Sequence, residues 1–204
     1  MELVVATRNA HKTREIQDLL GDSFAVRDLS DRSDVPEVVE NGRTFTENAV
    51  IKAQAISRIS SDLILADDSG LEVDLLDGAP GVFSARYAGE HATDLQNIEK
   101  LLGELHARTD VAGQTWSARF RCVVALARGD KILSTADGVI EGAIVEPPRG
   151  TGGFGYDPIF QPIGYDKTFA ELGSDTKNQI SHRARAIAAL RPHLLRFKET
   201  GQIE

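Results

Sequence analysis

The sequence predicts a mixed α/β fold, a central mixed sheet with flanking helices, arranged as two lobes around a cleft. Three observations carry this. Strand-like and helix-like patterns alternate over the first third of the chain. A long run of alternating apolar and polar residues then meets a tight turn and returns as a second run. A glycine-rich loop follows, and a capped helix closes the chain.

Leu3, Val4, Val5 and Ala6 are uninterrupted apolar residues, which predicts a buried strand over 3–6. Ile16, Leu19 and Leu20 share one face of a helix over 10–20. A second strand is predicted over 24–29, followed by a polar, acidic connection over 30–41. Thr44-Phe45-Thr46-Glu47 has the form of a capping box, so a helix opens there and runs through about residue 59. The next strand covers 63–66. Strand, helix, strand, helix, strand favours parallel pairing, because parallel neighbours need a crossover.

The middle of the chain reads differently. Asp77-Gly78-Ala79-Pro80-Gly81 is a turn cluster, and Leu95, Ile98, Leu101, Leu102 and Leu105 give a helix over 93–105. From 116 to 127, apolar positions alternate against Arg119 and Arg121, as on a half-buried strand. Gly129-Asp130 turns the chain, and 131–145 returns as an antiparallel partner. Gly150 to Pro158 is the glycine-rich loop, and Ser181 caps a last helix over 182–197. With no internal repeat or low-complexity linker, residues 1–204 read as one domain.

The composition, 41% hydrophobic and 26% charged, is that of an ordinary globular chain. A net charge of −8 argues against a bulk nucleic-acid binder, which needs a basic face, but leaves room for a small anionic ligand held by local cations or a metal. The single cysteine, Cys122, excludes an intrachain disulfide and a cysteine cluster for zinc. No secretory signal precedes the first strand, and no apolar run is long enough for a bilayer. The cytoplasm is the expected location.

Several stretches could carry chemistry. Thr7-Arg8-Asn9-Ala10-His11-Lys12 joins the first strand to the first helix. Helix N-terminal N–H groups favour an anion there, and Lys12 adds a charge suited to phosphate; a plain helix cap with a surface lysine would look the same. Asp67 and Asp68 stand where a parallel strand ends, the place where open α/β sheets put ligands. Strand alternation sends them to opposite faces, so one serves a site and the other supports the loop, and Ser69-Gly70 lets the chain turn; a turn capped by aspartates is the alternative. A divalent cation, bound by one or two carboxylates with phosphate and water, would relieve the crowding of charge. Phe154-Gly155-Tyr156-Asp157 offers flat aromatic surface and close backbone approach for a base, or simply aromatics that pack. Lys177, His182 and Arg183 are a sparse cationic set at the start of the last helix.

Six segments then occur in order: Thr7-x-Asn9-x-x-Lys12, Glu40-x-Gly42-x-Thr44-Phe45-x-Glu47-Asn48-Ala49, Ala66-Asp67-Asp68-Ser69-Gly70-Leu71, Pro80-Gly81-Val82-Phe83-Ser84-Ala85-Arg86-Tyr87, Gly152-Gly153-Phe154-Gly155-Tyr156-Asp157-Pro158 and Ser181-His182-Arg183. Together they closely resemble the non-standard purine nucleoside triphosphate pyrophosphatases, the inosine/xanthosine triphosphate pyrophosphatase family, over nearly the whole chain. The resemblance implies a homodimeric, magnesium-dependent α/β hydrolase with a nucleotide in its cleft. It would convert ITP, dITP or XTP to the monophosphate and pyrophosphate, keeping these nucleotides out of DNA and RNA. It implies that Thr7, Arg8, Asn9, Ala10, His11 and Lys12 hold the triphosphate and that Glu40 and Asp68 hold magnesium, Asp68 also acting as the catalytic base. Ser69, Phe154, Gly155, Tyr156, Asp157, Lys177, His182 and Arg183 would contact the nucleotide. Arg8 departs from the family pattern, where a small residue is common. Two rivals remain at this level: a non-catalytic nucleotide sensor, and the related septum-inhibitor type of pyrophosphatase.

Overall fold

The computed structural model describes residues 1–108 and 115–201. Among them, six strands lie in the order β2-β1-β3-β4-β5-β6: β1 is Glu2–Val5, β2 Ala25–Arg27, β3 Ile64–Val73, β4 Trp116–Arg128, β5 Lys131–Ile144 and β6 Phe160–Pro162. The helices are α1 Ala10–Leu20, α2 Phe45–Arg58, α3 Asp94–Arg108, α4 Ser174–Ile180 and α5 His182–Thr200. β1 pairs in parallel with both β2 and β3, as the early alternation predicts, with α1 and α2 in the crossovers. β4 and β5 are neighbours joined by Gly129 and Asp130, both at positive φ (55° and 67°). That is the turn whose twist matches a hairpin. β6 pairs antiparallel with β5.

The chain divides into two compact units. The first comprises Met1–Asp68, Cys122–Gly138 and His182–Glu204; the second comprises Ser69–Arg121 and Val139–Ser181. The first has a core in which Leu3, Ile16, Leu65, Val124 and Leu190 are fully buried. Its apolar positions come from β1, α1, β3, β4 and α5, the faces that the periodicity marks. The core of the second is aromatic at its centre, with Phe120, Phe160 and Phe169 rings 4.6–5.9 Å apart.

Three departures from the sequence reading have physical causes. β3 does not stop at residue 66 and turn at Ser69-Gly70; it runs on to Val73. Leu71 and Val73 are completely buried in the second core, so the apolar alternation resumes past the acids. The Leu71 N–H is donated to Ser84 Oγ at 2.9 Å. The capping box is shifted: Thr44 Oγ1 accepts the Glu47 N–H, but Glu47 reaches back to the N–H of Arg43, not of Thr44. The short β6 and α4 were not legible. β6 has three residues, and α4 starts after Gly173 with no side-chain cap.

Gly138 in β5 is a close approach to α5. A Cβ there would lie 2.2 Å from the His182 carbonyl oxygen and 2.4 Å from the Ala186 nitrogen. Both are backbone atoms that cannot swing aside. Gly138→Ala is therefore expected to destabilise the protein by about 1–3 kcal/mol, the usual cost of overpacking. A lowered thermal midpoint would show it; an unchanged one would mean the helix slides freely against the strand.

Candidate active site

In the first unit, the turn after β1 is built by side chains. Thr7 Oγ1 accepts the Asn9 N–H at 3.1 Å, and Asn9 Oδ1 caps α1 by accepting the N–H groups of His11 (2.9 Å) and Lys12 (3.3 Å). Arg8 reaches away along the acidic connection: its Nη2 donates to the Val35 carbonyl at 2.6 Å and the Arg32 carbonyl at 3.4 Å. An exposed arginine thus straps this turn to the segment that leads to Glu40.

β3 then presents its two acids to opposite faces, as the alternation of a continuous strand requires. Asp67 follows Leu63 and Leu65 toward α1 and α5. Its Oδ2 lies 3.0 Å from Lys12 Nζ and 3.0 Å from Arg183 Nη2, while Arg183 Nη1 also bonds Glu15. Asp67 and Arg183 are each 1% exposed. Burial alone would raise the Asp67 carboxyl, but the charges of Lys12, Arg183 and Lys52 overcome it and hold the group well below the usual carboxylate range. The same pairing keeps Arg183 firmly charged despite burial. Asp67 is thus more than a loop support: it joins a Lys–Asp–Arg–Glu chain whose middle pair, Asp67 and Arg183, is buried and whose ends are partly exposed.

Asp68 faces the other way, toward α2. It is 7% exposed, and burial pushes its carboxyl up to about 6. Lys52 and Lys12 oppose that rise, Glu40 adds to it by like charge, and a hydrogen bond from Asn48 lowers it. Glu40 itself pairs with Lys52 at 2.9 Å. Two carboxylates and two lysines therefore act on one another here, and Asp68 is a carboxylate poised near neutrality. That is the condition for a general base. His182 is buried at the start of α5 in this same unit.

The second unit holds Ser69, half-buried in β3, and the glycine loop. Gly153 sits at φ +73°, and a Cβ there would fall 1.9 Å from Asp157 Oδ2. That same oxygen accepts the Phe154 N–H at 3.0 Å and pairs with Lys177 Nζ at 2.6 Å. Lys177 is buried and lies 4.8 Å from the Phe154 ring centre and 5.7 Å from that of Phe169. The Gly155 N–H is donated to Asp94 Oδ2 at 2.6 Å, and the Tyr156 hydroxyl to the Ser84 carbonyl at 2.9 Å. Burial, with the nearby Tyr87 and Asp94, raises the Tyr156 phenol well above its ordinary value. The loop is thus fixed by its own bonds, with Phe154 left half-buried.

Within the first unit, then, Lys12, Glu40, Asp68, His182 and Arg183 come from the sequence candidates; within the second, Ser69, Phe154, Gly155, Tyr156, Asp157 and Lys177 do. The sequence reading missed Lys52, Glu15 and Asp94, and gave Asn48 no role of its own. Asn48 and Lys52 stand four residues apart on one face of α2, a signal that could have been read beside the buried Ala49 and Ala53. Among the described residues, no group of three or more His, Cys, Asp or Glu side chains is placed to hold a metal ion; the pair Glu40 and Asp68 is what the site offers.

The sequence profile described as the Ham1 family matches residues 3–193. A protein of Shouchella clausii named dITP/XTP pyrophosphatase is 50% identical over 190 residues, covering 93% of this chain and 94% of that protein. One of the same name from Bacillus subtilis is 46% identical over 190 residues, 93% of this chain and 94% of its own. Among solved structures, a HAM1 protein from Coxiella burnetii superposes with a TM-score of 0.84 at 42% identity, covering 96% of this chain and 99% of the other.

Proposed function

Because the chain belongs to the Ham1 family, we propose that it hydrolyses non-standard purine nucleoside triphosphates (ITP, dITP and XTP) to the nucleoside monophosphate and pyrophosphate. It does so as a single nucleotide pyrophosphatase domain, a homodimer in the cytoplasm, and so clears these nucleotides before they reach DNA or RNA. Among the described residues no helix is long and apolar enough to cross a membrane. The observation that carries the chemistry is Asp68, raised to about 6 beside Glu40, Lys52 and Lys12.

On this reading the turn from Thr7 to Lys12 takes the triphosphate, with Lys12 as its fixed charge. Lys12 is held in place by Asp67, which in turn is held by Arg183. Phosphoryl transfer asks the protein for positioning and charge neutralisation more than for covalent help. Asp68 orients the attacking water and takes its proton; its raised pKa belongs to the metal-free site, and a cation held directly by this carboxylate would lower its basicity. Glu40 and Asp68 fit magnesium, which takes one or two carboxylates and completes its shell with phosphate oxygens and water. Bound there, it would supply the remaining charge neutralisation of the phosphates. Phe154 offers a flat face for a base, and Lys177 of the second unit with His182 and Arg183 of the first are the remaining proposed nucleotide contacts. The N–H groups of Phe154 and Gly155 are already spent on Asp157 and Asp94, which makes the loop a preset shape.

The test is a panel of nucleoside triphosphates with product identification, run with magnesium and with excess chelator. ITP, dITP and XTP are expected to release pyrophosphate. ATP carries a 6-amino donor in place of the 6-oxo acceptor, and a mismatch of this kind is rejected by up to about 10⁴-fold. Chelation should abolish turnover and magnesium restore it, with calcium a poor substitute because its coordination is longer and looser. Orthophosphate as product, or equal rates on ATP and ITP, would overturn the reading. Full activity in chelator would remove the metal from it.

A further inference from the structure

The segment that carries Glu40 has no regular structure, yet it is tied repeatedly to the first turns of α2. Glu40 pairs with Lys52, the Arg43 N–H is donated to Glu47, and Thr44 caps the helix. The innermost tie is different in kind. The Gly42 N–H is donated to Asn48 Oδ1 at 2.8 Å, and Asn48 is 1% exposed. Gly42 can come this close only because it lacks a side chain: a Cβ would lie 2.6 Å from that same Oδ1. A backbone N–H can be received only by the oxygen of a side-chain amide, so the orientation of the Asn48 amide is settled. Its NH₂ end is therefore the one that makes the hydrogen bond to Asp68.

We infer that Asn48 is a positioning residue for the proposed hydrolysis: its oxygen clamps the Glu40 segment to α2 at Gly42 while its NH₂ donates to the Asp68 carboxylate. One buried amide thus sets the relation between the two carboxylates, and neither contact involves the substrate. The inference rests on the functional reading above for its effect on turnover, but not for the clamp itself.

The discriminating variant is Asn48→Asp, compared with Asn48→Ala and the parent in alkaline buffer, where the introduced carboxyl is ionised. A carboxylate oxygen still accepts the Gly42 N–H but has nothing to donate to Asp68 and repels it. Hydrogen exchange at the Gly42 amide reads the clamp, and magnesium-dependent pyrophosphate release from ITP reads the positioning. In Asn48→Asp, Gly42 protection is expected to persist while kcat falls about 10- to 100-fold, the usual effect of removing a partner of a metal-binding side chain. KM for ITP should move much less than kcat, because no base or phosphate contact is removed. Asn48→Ala should lose both protection and turnover. Parent-like kcat in Asn48→Asp would overturn the donor role, and loss of Gly42 protection in it would overturn the amide orientation. A parent protein that releases no pyrophosphate from ITP would instead sink the functional reading, and the exchange measurement would still decide the clamp.

Discussion

Asp68→Asn is expected to cut pyrophosphate release from ITP by at least about 10²-fold, the lower end of what a general base contributes. The amide has nearly the volume of the acid, so the fold has no reason to change. The charge is another matter. Burial and the like charge of Glu40 both work against an ionised Asp68, while Lys52, Lys12 and Asn48 favour it without overcoming the burial. Removing that charge relieves the protein of a cost it carries for activity. The thermal midpoint of the metal-free variant should therefore stay level or rise while turnover collapses. Calorimetry beside steady-state kinetics makes the comparison. A variant that keeps parent-like turnover would move the base to another residue.

Asp67→Ala should do the reverse: a stability defect first, of about 3–5 kcal/mol, as when one partner of a buried ion pair is removed. Arg183 is 1% exposed and cannot shed its proton, so without Asp67 the balance of its charge with Asp67 and Glu15 is broken. In a chain of this size such a loss lowers the thermal midpoint on the order of 10 °C. The sequence alone suggests that replacing Asp67 would be the milder change; the geometry makes it milder only for chemistry. The pH dependence follows in sign. The Asp67 carboxyl lies lower in the folded protein than in the unfolded chain, where it titrates near about 3.9. Its stabilisation is therefore complete above that value and is lost as the pH falls below it. Asp67→Ala should flatten this acid limb. An acid profile identical to that of the parent would mean the ion pair contributes nothing net.

The long elements were legible because their patterns are strong: α1 and α2 begin at side-chain caps, and β4 alternates from Trp116 to Cys122 before an unbroken buried run to Ala127. The acid pair was legible as a position but not as a division of labour. Which acid is paired depends on Lys12, Lys52 and Arg183 arriving from α1, α2 and α5, and no local pattern records that. β3 looked finished at residue 66 because two acids and a serine break its apolar run, while the burial that extends it comes from Leu71 and Val73. Asn48 was visible as part of a motif. Its role needed the 2.8 Å contact with Gly42, which sequence spacing cannot supply.

Asp67 joins Lys12 to Arg183, and those two residues stand near opposite ends of the chain. This has a consequence for the order in which the protein can be made. The first compact unit is assembled from three separated stretches, the last of which begins at His182, and the second is interrupted by part of the first. Neither can be excised as one continuous fragment. During synthesis, Lys12 and Asp67 leave the ribosome long before the guanidinium that completes their charge balance. Contacts of such sequence separation close late and slowly. Until α5 docks, a partly neutralised aspartate has no reason to stay buried, so a nascent chain stalled before residue 182 should hold its N-terminal turn open to solvent.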